Sequence, residues 1–154
     1  MPITSALMRL NTYKNDNMKT LDTRDLNDRK IELEGYRDAL DTARALLAEA
    51  ETEQEKEQAQ ESVELAEIDF GEAEAEELAE LEELESEISE WRHGETLILV
   101  SDFVDYVEEM LKDCGDLPKD IPWYIAIDWQ KTADNIAIDY SIVTYQGQDY
   151  YVRS

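Results

Sequence analysis

The sequence predicts an α+β protein in which a long amino-terminal helical hairpin or coiled coil precedes a small strand-helix-helix-hairpin domain. Residues 23–91 contain no proline and are dominated by good helix formers. After residue 93, short apolar runs alternate with turn-forming residues, as is typical of a compact mixed domain. We therefore expect a flexible tail over residues 1–17, an acidic helical hairpin or coiled coil over 18–93, and the small domain over 94–154.

The first seventeen residues lack sustained apolar periodicity, and residues 11–17 are rich in turn formers. This pattern predicts the flexible tail. Met18 opens a more regular segment, so translation from Met18 instead of Met1 is a second hypothesis. An intact mass of the native protein that includes Met1 would refute it.

Thr23 is the expected cap of the first helix, because its hydroxyl can accept a hydrogen bond from a free amide of the first turn. Asp25 would favour the positive end of the helix dipole. Apolar residues then recur mostly at steps of three and four, as in a coiled-coil seam. The first series is Leu26, Leu33, Tyr36, Leu40, Ala43, Leu47 and Ala50, and the second is Val63, Phe70, Leu81, Leu84, Ile88 and Trp91.

Residues 51–57 contain no apolar side chain, and Thr52 and Glu55 have the spacing of a capping box. A reversal there would form an antiparallel hairpin whose seams meet within one chain. The alternative is a single rod about 100 Å long, which would need a partner chain along its whole seam. Gly35 and Gly71 weaken either arrangement by about 1 kcal/mol each relative to alanine.

In the small domain, residues 96–100 are expected to form a short buried strand. Ser101 or Asp102 can cap a helix that ends near Cys114. Asp128 is placed to cap a second helix, which would bury Ala133, Ile136 and Ala137. The remaining residues predict a hairpin with strands over 140–145 and 148–152 and a turn at Gln146 and Gly147.

The net charge of −25, from 39 acidic and 14 basic residues, is concentrated in one segment. Residues 1–48 balance, whereas residues 49–90 hold 19 acidic residues and one base, Lys56. Residues 91–100 also balance, and residues 101–154 carry a net −7. A chain this acidic is repelled by DNA, RNA and anionic lipid, so the sequence argues against direct nucleic-acid or membrane binding and predicts a cationic partner.

An ordinary solvated helix would mix lysines among its acids, as the first helix mixes in its own bases. The acidic run is therefore expected to present a partner-binding surface, although a soluble spacer is the alternative interpretation. Acids of the small domain are expected to contribute to it. The candidate residues are Glu64, Glu67, Asp69, Glu72, Glu74, Glu76, Glu77, Glu80, Glu83, Glu87, Asp105, Glu108, Glu109, Asp128 and Asp139.

No constellation of residues predicts catalysis, a cofactor or a defined metal site. Asp128 and Asp139 could form a carboxylate pair, but their positions suit a helix cap and a strand start. His93 beside a glycine is expected to end a helix, and Cys114 has no evident activating base nearby. The sequence has no apolar run of about 18 residues and no leader, so a soluble protein of the cytoplasm is the expectation.

Residues 101–153 resemble the carboxy-terminal portion of the ArdA-type acidic antirestriction proteins of phages and mobile elements. The matching positions are Asp105-Tyr106, Glu108-Glu109, Gly115, Leu117-Pro118, Ile127-Asp128-Trp129 and Asp139-Tyr140. Ala133-Asp134-Asn135 stands where that family has Gly-Arg-Asp, and the amino-terminal helices have no counterpart in it.

The resemblance implies a DNA mimic that occupies the cationic nucleic-acid-binding surface of a host restriction or CRISPR nuclease in the host cytoplasm. A helix carrying 18 net charges over 42 residues has about one per 3.5 Å, whereas duplex DNA has about one per 1.7 Å. Two helices side by side, or a homodimer, would approach the density of the duplex.

The alternative is a coiled-coil dimeric adaptor that binds a protein partner through its carboxy-terminal aromatic surface. The aromatic residues are expected to be mostly core residues or cross-strand pairs, with some available as interface anchors. They are Trp91, Trp123, Trp129, Tyr145, Tyr150 and Tyr151.

Overall fold

A computed structural model describes the backbone of residues 12–15 and 18–19 and all atoms of residues 20–154. It confirms a chain of mixed helix and sheet with a long helix near the amino terminus. The chain divides into a helical unit, Leu26–Glu85, and a sheet unit formed by the residues before Leu26 together with Ser86–Ser154. These divisions differ from those expected after residues 17 and 93, because strands that precede the first helix join the carboxy-terminal sheet.

Three helices form the helical unit, and the first and the third extend two or three residues beyond its bounds: α1 (Thr23–Glu49), α2 (Glu53–Asp69) and α3 (Glu72–Glu87). Leu40 and Ala43 of α1 pack against Val63 of α2. The predicted apolar spacing corresponds closely to burial, since most members of both series are buried. The fully or almost fully buried members are Leu26, Leu33, Leu40, Ala43, Val63, Leu81, Leu84, Ile88 and Trp91.

The chain reverses between α1 and α2 through the predicted capping box. Thr52 Oγ1 accepts a hydrogen bond from the Glu55 backbone N–H at 3.1 Å, and the Glu55 carboxylate accepts from the backbone N–H groups of Glu51 at 3.0 Å and Thr52 at 3.3 Å. These backbone hydrogen bonds lower the pKa of the Glu55 carboxyl below its usual value. The chain then runs back along α1, as a hairpin and not as a rod.

The expectation of one continuous second helix up to Trp91 is wrong. The helix is interrupted at Phe70 and Gly71, and α3 ends at Glu87. The Gly71 backbone N–H donates to Glu74 Oε1 at 3.0 Å, and a Cβ at Gly71 would lie 3.3 Å from that oxygen. Two features favour the interruption of the helix at this point. Glycine is a poor helix former, and the Glu74 carboxylate accepts a hydrogen bond from a backbone amide at the start of α3.

In the described part of the chain, the sheet has five strands in the order β1-β2-β3-β5-β4, and all neighbouring pairs are antiparallel. The strands are β1 (Thr12–Asn15), β2 (Met18–Asp22), β3 (Thr96–Leu99), β4 (Tyr140–Tyr145) and β5 (Gln148–Arg153). The predicted tail is therefore wrong for residues 12–15, and residues 18–22 are strand instead of part of the helical segment. Residues 1–11 and 16–17 of that tail lie outside the described residues.

Two helices, α4 (Phe103–Asp113) and α5 (Trp129–Ile136), pack against one face of the sheet. Phe103 is at the centre of this core, with its ring centroid 4.3 Å from that of Tyr151. Asp128 caps α5 as predicted, accepting from the Lys131 backbone N–H at 3.0 Å. Asp102 precedes α4 but does not cap it with its side chain.

Thr23 does not cap its own helix, which corrects the expectation. Its hydroxyl is fully buried, donates to the Trp91 carbonyl at 2.8 Å and accepts from the Glu95 backbone N–H at 2.8 Å. The Asp22 carboxylate instead accepts from the backbone N–H of Arg24 at 2.8 Å. The Thr23 hydroxyl thus links the start of α1 to the segment that follows α3.

Substitution of Thr23 by valine is expected to lower the free energy of unfolding by about 1–3 kcal/mol, because it leaves a buried amide and carbonyl without their hydrogen-bond partner. Urea unfolding followed by circular dichroism measures the change. The matched control is Thr42→Val on the exposed side of α1, for which we expect a change within about 0.5 kcal/mol. Equal effects of the two substitutions would contradict the assigned role.

Candidate functional site

Five glutamates recur at steps of three and four along α3 and therefore lie on one side of it. This acidic stripe consists of Glu72, Glu76, Glu80, Glu83 and Glu87. Glu80 is half-exposed and the other four are exposed. The leucines on the other side of α3, Leu78, Leu81 and Leu84, are buried. The helix thus turns its apolar side inward and the carboxylates of the stripe towards solvent.

The helical unit holds 22 acidic and five basic residues, hence a net charge of −17. Each of the five bases lies in an ion pair within the unit, all of whose residues the structure describes. The pairs are Arg29–Glu77 at 2.8 Å, Lys30–Glu85 at 2.9 Å, Arg37–Glu82 at 3.3 Å, Arg44–Glu67 at 3.6 Å and Lys56–Glu53 at 3.8 Å. Four of these pairs join α1 to α2 or α3, so the bases of α1 neutralise acids along the helix contacts and leave the large acidic excess in place.

Arg29 makes the most buried of these pairs. Its Nε and Nη2 donate to the two carboxylate oxygens of Glu77 at 2.8 and 2.9 Å, and its Nη1 donates to Glu32 at 3.1 Å. The Arg29 side chain is only 2% exposed. The hydrogen bonds to Glu77 raise the pKa of Arg29 above its usual value, although burial opposes the shift. This two-point contact holds α3 in a fixed rotation against α1.

Two acids that we expected on the surface are not available there. Glu74 is buried and caps α3 at Gly71, and the Glu77 side chain is 11% exposed and bound to Arg29. Glu67 is exposed but paired with Arg44. The other predicted acids of the helices, Glu64, Asp69, Glu72, Glu76, Glu80, Glu83 and Glu87, are exposed or half-exposed.

The predicted acidic residues of the sheet unit lie on different elements, and several of them make local contacts. Asp105 and Glu109 are exposed on α4, where Glu108 pairs with Lys112 at 2.9 Å. Asp128 is the cap of α5. Asp139 is exposed immediately before β4, and its backbone carbonyl accepts from Ser154. The acidic stripe on α3 is therefore the denser and more continuous candidate surface.

Two side chains with catalytic potential are exposed. His93 Nε2 lies 4.0 Å from the Glu90 carboxylate in the turn after α3, and the Cys114 thiol donates to the Asp116 carboxylate at 3.2 Å. Among the described residues, no group of three or more histidine, cysteine or acidic side chains is arranged to hold a metal ion. Within the described part of the chain, neither side chain is accompanied by a third group that would orient it for nucleophilic or acid–base chemistry in the manner of a triad.

The aromatic residues range from buried to exposed, and Trp129 and Tyr151 are half-buried. Trp91, Tyr145 and Tyr150 are buried, as expected of core residues. Trp123 is instead 93% exposed, and its neighbours Tyr124 and Ile125 are 71% and 51% exposed. These three form an exposed apolar segment in the connection between α4 and α5, a feature that marks interaction sites more often than random surface.

Comparison with protein-family models, with characterised proteins and with solved structures gives no match to this chain. Within the part of the chain that the structure describes, no helix is both long enough and apolar enough to cross a bilayer.

Proposed function

We propose that the protein is a non-catalytic inhibitor that occupies the cationic nucleic-acid-binding surface of a host restriction or CRISPR nuclease by imitating DNA. The observation that carries the proposal is the charge arrangement of the helical unit. Its net charge is −17, and all five of its bases are committed to ion pairs within the unit. A surface of this kind attracts cationic proteins at long range and repels nucleic acid.

The density of charge supports the imitation of a duplex. The part of α1 in the helical unit spans 24 residues, or about 36 Å, because each helical residue adds about 1.5 Å. With α2 and α3 folded back against it, the unit carries about one net negative charge per 2 Å of that axis, close to the value of about 1.7 Å for duplex DNA. Folding into a hairpin thus concentrates charge that a single helix would spread more thinly.

A competition assay tests the proposal. The purified protein is added to restriction and CRISPR nucleases cutting labelled duplex DNA, with polyglutamate at equal carboxylate concentration as the control. We expect inhibition of a susceptible nuclease at far lower protein than polyglutamate concentration, weakening as NaCl rises from about 50 to about 300 mM because salt screens the interaction. Unchanged cleavage by all of these nucleases at low salt would contradict the proposal.

The exposed segment around Trp123 favours a second candidate, an adaptor that binds a protein through this aromatic surface. Trp123 and Tyr124 are the residue types that dominate binding energy at protein interfaces. In this candidate the acidic helices contribute solubility, and recognition takes place in the sheet unit.

Substitution of Trp123 by alanine separates the two candidates. An adaptor is expected to lose at least about 2 kcal/mol of partner binding, roughly thirtyfold in affinity, since an anchor of this kind carries much of the interface energy. A DNA mimic is expected to inhibit its nuclease unchanged. Ile138→Ala, at another highly exposed apolar residue, is the control, and calorimetry with the captured partner is the measurement.

A further inference from the structure

The two edges of the sheet differ in how they are protected. β1 is four residues long, and its register with β2 is irregular between Tyr13 and Asn15. Irregularities of this type discourage pairing with another strand. β4 has six residues in unbroken register with β5 and contains neither a charged residue nor a proline. Among the described residues, β4 pairs with β5 alone, so its outer edge has none of the usual protection.

The hairpin turn determines which backbone groups of β4 point outward. Gln146 and Gly147 have φ angles of 50° and 75°, as in a two-residue type I′ turn, and the closing pair Tyr145↔Gln148 exchanges hydrogen bonds in such a turn. Because the direction alternates along an antiparallel strand, the N–H and C=O groups of Ile142 and Thr144 point away from β5. The Tyr140 carbonyl points the same way, whereas its N–H is used by the Ala137 carbonyl.

This row of groups is complementary to itself. Around a two-fold axis at Ile142, the two Ile142 residues would exchange two hydrogen bonds, and each Thr144 N–H would donate to the Tyr140 carbonyl of the other copy. The Ile142 side chains, 57% exposed in one copy, would meet across the axis. An uncharged strand allows two chains of net charge −25 to approach without placing like charges directly opposite each other.

We propose that a second copy of this chain pairs antiparallel along β4, so that two five-stranded sheets become one continuous sheet across a two-fold axis. The dimer contact therefore lies in the sheet unit and not along a coiled-coil seam. Long-range repulsion between two acidic chains opposes this contact, and salt screens that repulsion. Dimerisation is thus strengthened by salt, whereas binding to a cationic nuclease is weakened by it, so the two proposals succeed or fail separately.

Sedimentation equilibrium of the full chain at micromolar concentration tests the contact in about 50 mM and about 500 mM NaCl, conditions with very different screening lengths. We expect a mass that rises from the 17.8 kDa of the monomer towards twice that value, with a dissociation constant at least about fivefold tighter in high salt. Ile142→Lys places two cations across the axis and is expected to leave the chain monomeric in both buffers. Ile31→Lys on α1, where the isoleucine is equally exposed at 58%, is the matched control and is expected to leave the dimer intact.

A second variant, Thr144→Pro, removes an outward N–H without removing a backbone hydrogen bond to β5, and is expected to weaken the dimer at least about tenfold. It also removes the hydroxyl that donates to the Asp149 carboxylate of β5 at 2.7 Å. Far-ultraviolet circular dichroism checks that each variant is folded, and either folded variant suffices for the test. A wild-type chain that remains monomeric at every salt concentration would overturn the proposal. The outer edge of β4 would then be available to a strand from another protein. A dimer that survives Ile142→Lys but is lost in Ile31→Lys would also overturn it, since the contact would then lie on α1.

Discussion

Replacement of Glu72, Glu76 and Glu87 together with lysine is expected to weaken binding to the target nuclease roughly 100-fold. All three side chains are exposed members of the acidic stripe. Each substitution converts attraction for a cationic surface into repulsion, and we expect it to cost roughly 1 kcal/mol of binding free energy per exposed site. Three sites together correspond to roughly 100-fold in affinity, because each tenfold change equals about 1.4 kcal/mol. The inhibition constant in the DNA competition assay, measured at several salt concentrations, provides the test.

A control with the same change in net charge distinguishes location from total charge. Asp28, Asp41 and Glu49 are exposed on α1, and their joint replacement with lysine is expected to change the inhibition constant by less than about threefold, because these sites lie outside the stripe. Equal losses in the two triple variants would mean that only net charge matters. Full inhibition by the stripe variant would show that the target contacts another part of the molecule.

Replacement of Arg29 with methionine is expected to destabilise the helical unit by about 3–5 kcal/mol, because it leaves the largely buried Glu77 carboxylate without its partner. The guanidinium contacts both oxygens of that carboxylate and also bonds Glu32. Urea unfolding monitored by circular dichroism at pH 7 measures the loss, and the more exposed Arg44→Met serves as the control, with an expected effect below about 1 kcal/mol.

The double variant Arg29→Met with Glu77→Leu is expected to recover most of that stability, since an apolar pair in place of a buried ion pair is often neutral or stabilising. A deficit below about 1 kcal/mol at pH 7, or a double variant no more stable than Arg29→Met alone, would contradict the assigned role of the pair.

Local signals in the sequence were sufficient for several elements of the fold. The spacing of Leu26, Leu33 and Leu40 predicts their burial because helical periodicity depends only on near neighbours. The capping box at Thr52 and the turn at Gly147 likewise depend on a few adjacent residues. The two strands before α1 were missed for the opposite reason: β2 is held in the sheet by pairing with β3, whose residues lie more than 70 positions away.

The sequence predicts which residue types form the candidate site, but not which of their side chains are exposed. Glu74 and Glu76 are the same residue type in the same run, yet one is buried and the other is exposed. A signal for this difference was present, because Glu74 precedes the buried Leu81 by seven residues and so shares its side of the helix. The exposure of Trp123 had no such signal, since its segment lacks periodicity and its surroundings depend on how α4 and α5 pack.

The two segments of the sheet unit are separated along the chain by the entire helical unit, and this has a consequence for the order of folding. Thr20 pairs with Ile98, and closing an open chain of that length costs about 3.8 kcal/mol of entropy beyond a constant. Helices that fold back on α1 through local contacts would shorten that separation, and Thr23 bonds Trp91 and Glu95 where the two ends meet. We therefore expect the helices to form before β2 pairs with β3.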